Sequence, residues 1–105
     1  MADKILIVDD DEEIREVLRV LLTGEGFDVA EASGGEEALA YLDGCNGGVE
    51  LVILDVMMEG LGGYQVCLRL RERWNVPVLF LTAKSRESDL TMGYSSGGDD
   101  YLSKP

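Results

Sequence analysis

Three times in this chain a short apolar run stops abruptly on an aspartate or a threonine. Residues 4–8 (KILIV) lead straight into Asp9-Asp10-Asp11-Glu12-Glu13, 49–54 (VELVIL) into Asp55, and 76–82 (VPVLFLT) close on Thr82. Short, mostly uninterrupted apolar runs are what strands covered on both faces require. Pro77 is tolerable at the start of such a strand, where a backbone donor can be spared. Two weaker strands are expected at 27–32 (FDVAEA) and 101–104 (YLSK).

The intervening segments have helical periodicity. Ile14, Val17, Leu18, Leu21 and Leu22 recur at one-face spacing, with Gly24 and Gly26 at the exit. Acids in that helix's first turn suit the positive end of its dipole. Ser33 with Glu36 reads as a capping box opening a second helix with Ala38, Leu39 and Leu42 inward. After a glycine-rich stretch (Gly60, Gly62, Gly63), read as a flexible loop, Val66, Cys67, Leu70 and Trp74 form a third stripe, with Arg69, Arg71 and Arg73 mostly outward. A polar fourth helix is expected at 85–96. Five strands separated by four helices predict a doubly wound α/β domain with a parallel sheet, since right-handed crossovers put helices on both faces. The 105 residues allow a single domain, 1–105.

Composition removes whole classes of function. A net charge of -12 repels phosphate backbones and anionic lipid, so this segment is not expected to bind nucleic acid or membrane directly. No apolar run approaches the ~20 residues of a membrane span, and the N-terminus lacks a signal-peptide shape. There is no histidine, which excludes Ser-His and Cys-His nucleophiles and imidazole-bound zinc. Two cysteines, Cys45 and Cys67, are too few for a disulfide scaffold, so a reducing, cytoplasmic setting is expected.

In a doubly wound sheet, ligands bind beyond the carboxyl ends of the strands. That rule selects Asp9, Asp10, Asp55, Thr82 and Lys104. Each also has a purely structural reading: helix cap, solvated first turn, strand end or surface lysine. Taken together they describe a chemistry. Converging carboxylates repel one another, and Mg²⁺, which takes oxygen ligands and keeps several waters, relieves that repulsion. Asp55 is the best nucleophile candidate, with Asp9 and Asp10 beside it to hold the metal; carboxylate attack on phosphorus gives an acyl phosphate. The Lys104 ammonium would neutralise charge on the transferring oxygens, and the Thr82 hydroxyl could donate to one of them.

These segments carry a resemblance. ILIVDDDEEIREVL (5–18), LVILDVMM (51–58), VPVLFLTAK (76–84) and GGDDYLSKP (97–105) stand in the order found in the receiver domain of bacterial two-component response regulators, and span nearly the whole chain. The ending is most similar to receivers that precede winged-helix DNA-binding domains. The resemblance implies a flavodoxin-like sheet with strand order 2-1-3-4-5. It implies Asp55 as phosphoacceptor, and Asp9, Asp10, Asp55 and the Met57 main-chain carbonyl as Mg²⁺ ligands. Thr82 and Lys104 become the phosphate-contacting switch pair and Tyr101 the aromatic switch. The implied partner is a sensor histidine kinase, with a homodimer possible through the helix 4/strand 5 face. DNA is reached only through a separate effector domain. Such a domain is a regulatory phosphoacceptor, not an enzyme.

Two departures stand out. Glu59 occupies the family's usual proline position and Gly62 its usual aspartate. A phosphate-independent pseudo-receiver is therefore a competing reading. An aspartate-nucleophile phosphatase of the haloacid-dehalogenase type is another, but it wants an acid two residues after Asp55, where Met57 stands. A flavin or dinucleotide binder needs a glycine- or hydroxyl-rich phosphate loop, and five consecutive acids fill that position. Family receivers continue into a fifth helix, so the stop at Pro105 reads as a truncation that leaves apolar sheet surface open. The isolated chain is expected to self-associate, and light scattering showing a clean monomer at high concentration would contradict this.

Overall fold

The computed structural model describes residues 3–58, 60, 62–82 and 100–103, with Thr82 and 100–103 described by main chain alone. The elements follow in the order β1 (Lys4–Val8), α1 (Glu12–Gly24), β2 (Asp28–Ala32), α2 (Gly35–Cys45), β3 (Leu51–Asp55), α3 (Gly63–Arg71), β4 (Val78–Thr82) and β5 (Asp100–Ser103). All pairings are parallel and the strand order is β2-β1-β3-β4-β5, as the resemblance implied. The expected fourth helix at 85–96 lies outside the described residues.

Because successive strand residues face opposite ways, the sheet has two apolar faces. Leu6, Val8, Val52, Leu54, Val78 and Phe80 meet Ala38 and Leu42 of α2 and Val66, Cys67 and Leu70 of α3. Tyr64 meets Phe80 edge-on, ring centroids 5.0 Å apart, fixing the start of α3 against β4. On the other face Ile5, Ile7, Ile53 and Leu81 gather around Leu18, with Ile14 and Leu22 alongside.

Several boundaries and faces differ from expectation. Phe27 N–H still donates back to the Leu22 carbonyl, so β2 begins only at Asp28. In α1 only Leu18 is buried; Val17, Val20 and Leu21 are 42%, 62% and 59% exposed. The capping pair of α2 is Ser33 with Glu37, not Glu36. The Glu37 carboxylate accepts from the Ser33 hydroxyl at 2.7 Å and the Ser33 N–H at 3.1 Å, and these bonds hold its carboxyl below the usual range. The N-cap itself is Gly34, which has no side chain to offer. Arg71 is not simply outward, since its guanidinium reaches the Val76 carbonyl.

Away from the carboxyl rim, the end of α2 is clasped to the chain after α3. Arg73 pairs with Asp43 at 2.5 Å and stacks over Trp74, whose indole N–H donates to Asn46 Oδ1 at 3.3 Å. Gly47 lies under this clasp at φ 71°, and a Cβ there would sit 2.4 Å from Trp74 Cδ1. Gly47→Ala is therefore expected to cost about 2 kcal/mol, from left-handed strain plus overpacking. A urea titration followed by Trp74 fluorescence checks this; an unchanged midpoint would show that the clasp yields freely.

Candidate functional site

The register of β1 against β3 builds the site. Val8 pairs with Leu54, so the next residue along each strand brings Asp9 beside Asp55 at the carboxyl edge. Asp9 and Asp55 are both 0% exposed, whereas Asp10 is exposed. One carboxylate oxygen from each of Asp9, Asp10 and Asp55 lies within 4.8 Å of the other two.

The acidic run divides into distinct roles once folded. Asp9 Oδ1 accepts from Asp11 N–H at 2.9 Å, a turn that points the carboxylate back over the rim. Asp11 is the N-cap of α1, its Oδ1 accepting from Glu13 N–H at 2.9 Å. Glu12 and Glu13 fill the first helical turn. The structural and chemical readings of this run thus apply to different members of it. Asp55 Oδ1 accepts from Met57 N–H at 3.2 Å, fixing the carboxylate from its own loop. The Met57 side chain is 76% exposed.

Gly63 belongs to the site's frame, which its glycine-rich setting concealed. It is the buried first residue of α3, not part of a flexible loop. A Cβ at Gly63 would lie 2.1 Å from the Asp55 carbonyl oxygen and 2.9 Å from its carbon. Neither atom can move without moving β3. Gly62, the N-cap before it, has no atom nearer than 4.0 Å to an added Cβ. In place of a side-chain cap there, Gln65 Oε1 accepts from Gly62 N–H at 3.2 Å, the return half of a capping box. Glycine for aspartate at this cap costs only a few tenths of a kcal/mol, so the departure at Gly62 is energetically mild.

Thr82 ends β4 one residue beyond Leu81, the partner of Asp55, and Tyr101 pairs with Phe80 in β5. Lys104 and the side chains of Thr82 and Tyr101 lie outside the described residues.

The acid cluster fits a hard divalent cation. Unit charges at this separation repel by on the order of 3–4 kcal/mol per pair at an effective dielectric constant of about 20, less where Asp10 meets water. All-oxygen donors with one side open to solvent suit Mg²⁺, which takes one or two protein carboxylates and retains water.

Three comparisons bear on this arrangement. Residues 5–105 match the family model described as the response regulator receiver domain. The chain is 47% identical over 105 residues to the transcriptional regulatory protein YrkP of Bacillus subtilis, covering 100% of this chain and 44% of that protein. It is 43% identical to the DNA-binding response regulator MtrA of Mycobacterium tuberculosis, again over 100% of this chain and 45% of that protein. It thus spans less than half the length of either relative. Among solved structures, a putative response regulator from Chloroflexus aurantiacus superposes with a TM-score of 0.91 at 37% identity, covering 100% of this chain and 87% of that one. Among the described residues no helix is long and apolar enough to cross a membrane.

The two adjacent glycines make an internal test of the frame. Gly63→Ala is expected to lower stability by roughly 3 kcal/mol, the upper end of the overpacking range, and Gly62→Ala by well under 1 kcal/mol. Equal urea midpoints for the two variants would show that α3 does not rest on Asp55 as tightly as described.

Proposed function

This chain belongs to the response regulator receiver domain family, and on that premise we propose that it is a phosphorylation switch with Asp55 as its acceptor. Receiver domains of transcriptional response regulators are regulatory modules, not enzymes in their own right. As a family they bind Mg²⁺ at an acidic pocket, interact with histidine kinases and are linked to DNA-binding output domains. The observation that carries the reading is the meeting of Asp9, Asp10 and Asp55 within 4.8 Å at the carboxyl edge of the sheet.

In this reading Asp9, Asp10, Asp55 and the Met57 main-chain carbonyl would hold Mg²⁺, which would supply positive charge against the transferring oxygens. An Asp55 carboxylate oxygen attacks the phosphorus of a sensor kinase's phosphohistidine. The P–N bond breaks, its electron pair returns to the imidazole, and an acyl phosphate remains on Asp55. The hydrogen bond from Met57 N–H to Asp55 Oδ1 helps to orient the acceptor. Lys104 pairs with the new phosphoryl group, Thr82 donates its hydroxyl to it, and Tyr101 repacks inward, each role taken from the resemblance. The helix 4/strand 5 face then changes partner preference as a population shift, with a homodimer through that face as one outcome. By likeness to MtrA and YrkP the output is transcription, exercised in the cytoplasm through a DNA-binding region beyond this segment.

Intact-mass measurement after incubation with acetyl phosphate and Mg²⁺ tests the reading. One phosphoryl group is expected on the wild type, none on Asp55→Asn, and none after chelation or in Asp10→Ala. Undiminished labelling of Asp55→Asn would remove Asp55 as acceptor, and metal-independent labelling would remove Asp10 from its role. A wild type that never labels would favour the pseudo-receiver.

A further inference from the structure

Arg15 reaches back from α1 to the peptide that joins two of the clustered acids. Its Nη1 donates to the Asp9 carbonyl oxygen at 2.7 Å, and its Nε donates to Glu31 Oε1 at 3.3 Å. Glu31 lies on the edge strand β2, and its second oxygen accepts from Arg19 Nη1 at 3.0 Å. The Arg15 side chain is 16% exposed, so this fork is largely shielded from water.

The contact matters because of which carbonyl it holds. The Asp9 carbonyl lies in the peptide plane between Asp9 and Asp10, so its direction sets where Asp10 starts relative to Asp9. The same residue is held at its other end, where Asp9 N–H donates to the Ala32 carbonyl at 3.1 Å. Asp9 is thus tied to β2 twice, directly through its nitrogen and through Arg15 and Glu31 at its oxygen. A planar guanidinium with rigidly spaced donors can serve a carbonyl and a carboxylate at once; an ammonium of similar reach does so less well.

We propose that Arg15 is a positioning residue for the acid cluster: by gripping the Asp9–Asp10 peptide it sets the spacing of the carboxylates and hence their affinity for a divalent cation. This rests on the reading of Asp9, Asp10 and Asp55 as a Mg²⁺ site. Groups that orient metal ligands from behind commonly change metal affinity 10–100-fold when lost. Charge alone predicts the opposite sign. A cation beside an acidic pocket repels Mg²⁺, so deleting it should tighten binding by a modest, salt-screened factor.

Calorimetric titration of the chain with Mg²⁺ separates the two effects. Arg15→Ala is expected to weaken binding tenfold or more, with Arg15→Lys between it and the wild type. Arg19→Ala removes the same charge from the same Glu31 without touching Asp9, and is expected to shift affinity by less than roughly threefold. Acetyl phosphate labelling of Arg15→Ala should recover towards the wild-type rate at saturating Mg²⁺, a change in half-saturation, not in maximal rate. Arg15→Ala binding as tightly as the wild type, or more tightly, would overturn the proposal, as would an equal loss in Arg19→Ala. If circular dichroism shows Arg15→Ala unfolded, Glu31→Gln decides the matter: it loosens the fork while keeping the guanidinium, so weaker binding supports the proposal and unchanged binding defeats it. A flat wild-type titration would strike the Mg²⁺ reading beneath both.

Discussion

Parallel pairing of β1 with β3 forces negative charges together. Once Val8 stands against Leu54, the next residue on each strand is an aspartate, and both are shut away from water. Bringing them together costs electrostatic energy, which the groups paired with these acids and the apolar faces of the sheet offset together. Fully buried Leu6, Val8, Val52, Leu54 and Phe80 lie directly behind the acids, on the strands that carry or flank them. At ~25 cal/mol per Å² of apolar surface removed from water, such a core contributes to that offset.

The acids are held from three sides. Behind Asp55, α3 begins on a glycine because no other residue fits against the Asp55 carbonyl. From the β2 side, Arg15 and the Ala32 carbonyl hold Asp9 at both ends of its backbone. Within each loop, an N–H two residues on turns the carboxylate inward, Asp11 onto Asp9 and Met57 onto Asp55. Asp10 alone of the three faces solvent.

Much of this was legible in the chain itself, and the exceptions share a cause. Apolar runs and their polar stops predict the strands because burial on both faces demands them. The parallel architecture follows from strands separated by helices. What misled was detail set by neighbours in space. Ser33 bonds to Glu37 because the helix starts at Gly35, a boundary one residue from the capping-box expectation. The spacing of the α1 stripe predicts a uniformly inward face, yet Val17 and Leu21 are exposed. Gly63 read as slack because glycine spacing alone does not distinguish freedom from close contact.

The amino-acid order by itself determined which residues are apolar, where helices and strands alternate, and that an acid stands at the end of the first and third strands. Those are local matters, decided by periodicity and by which groups tolerate burial. Only the tertiary structure decided how closely Asp9, Asp10 and Asp55 meet at one rim, that Asp11 caps α1, and that Arg15 reaches the Asp9 carbonyl while Gly63 lies against that of Asp55. Register between strands and the distance between distant backbones decide such things, and neither is written in any single stretch of sequence.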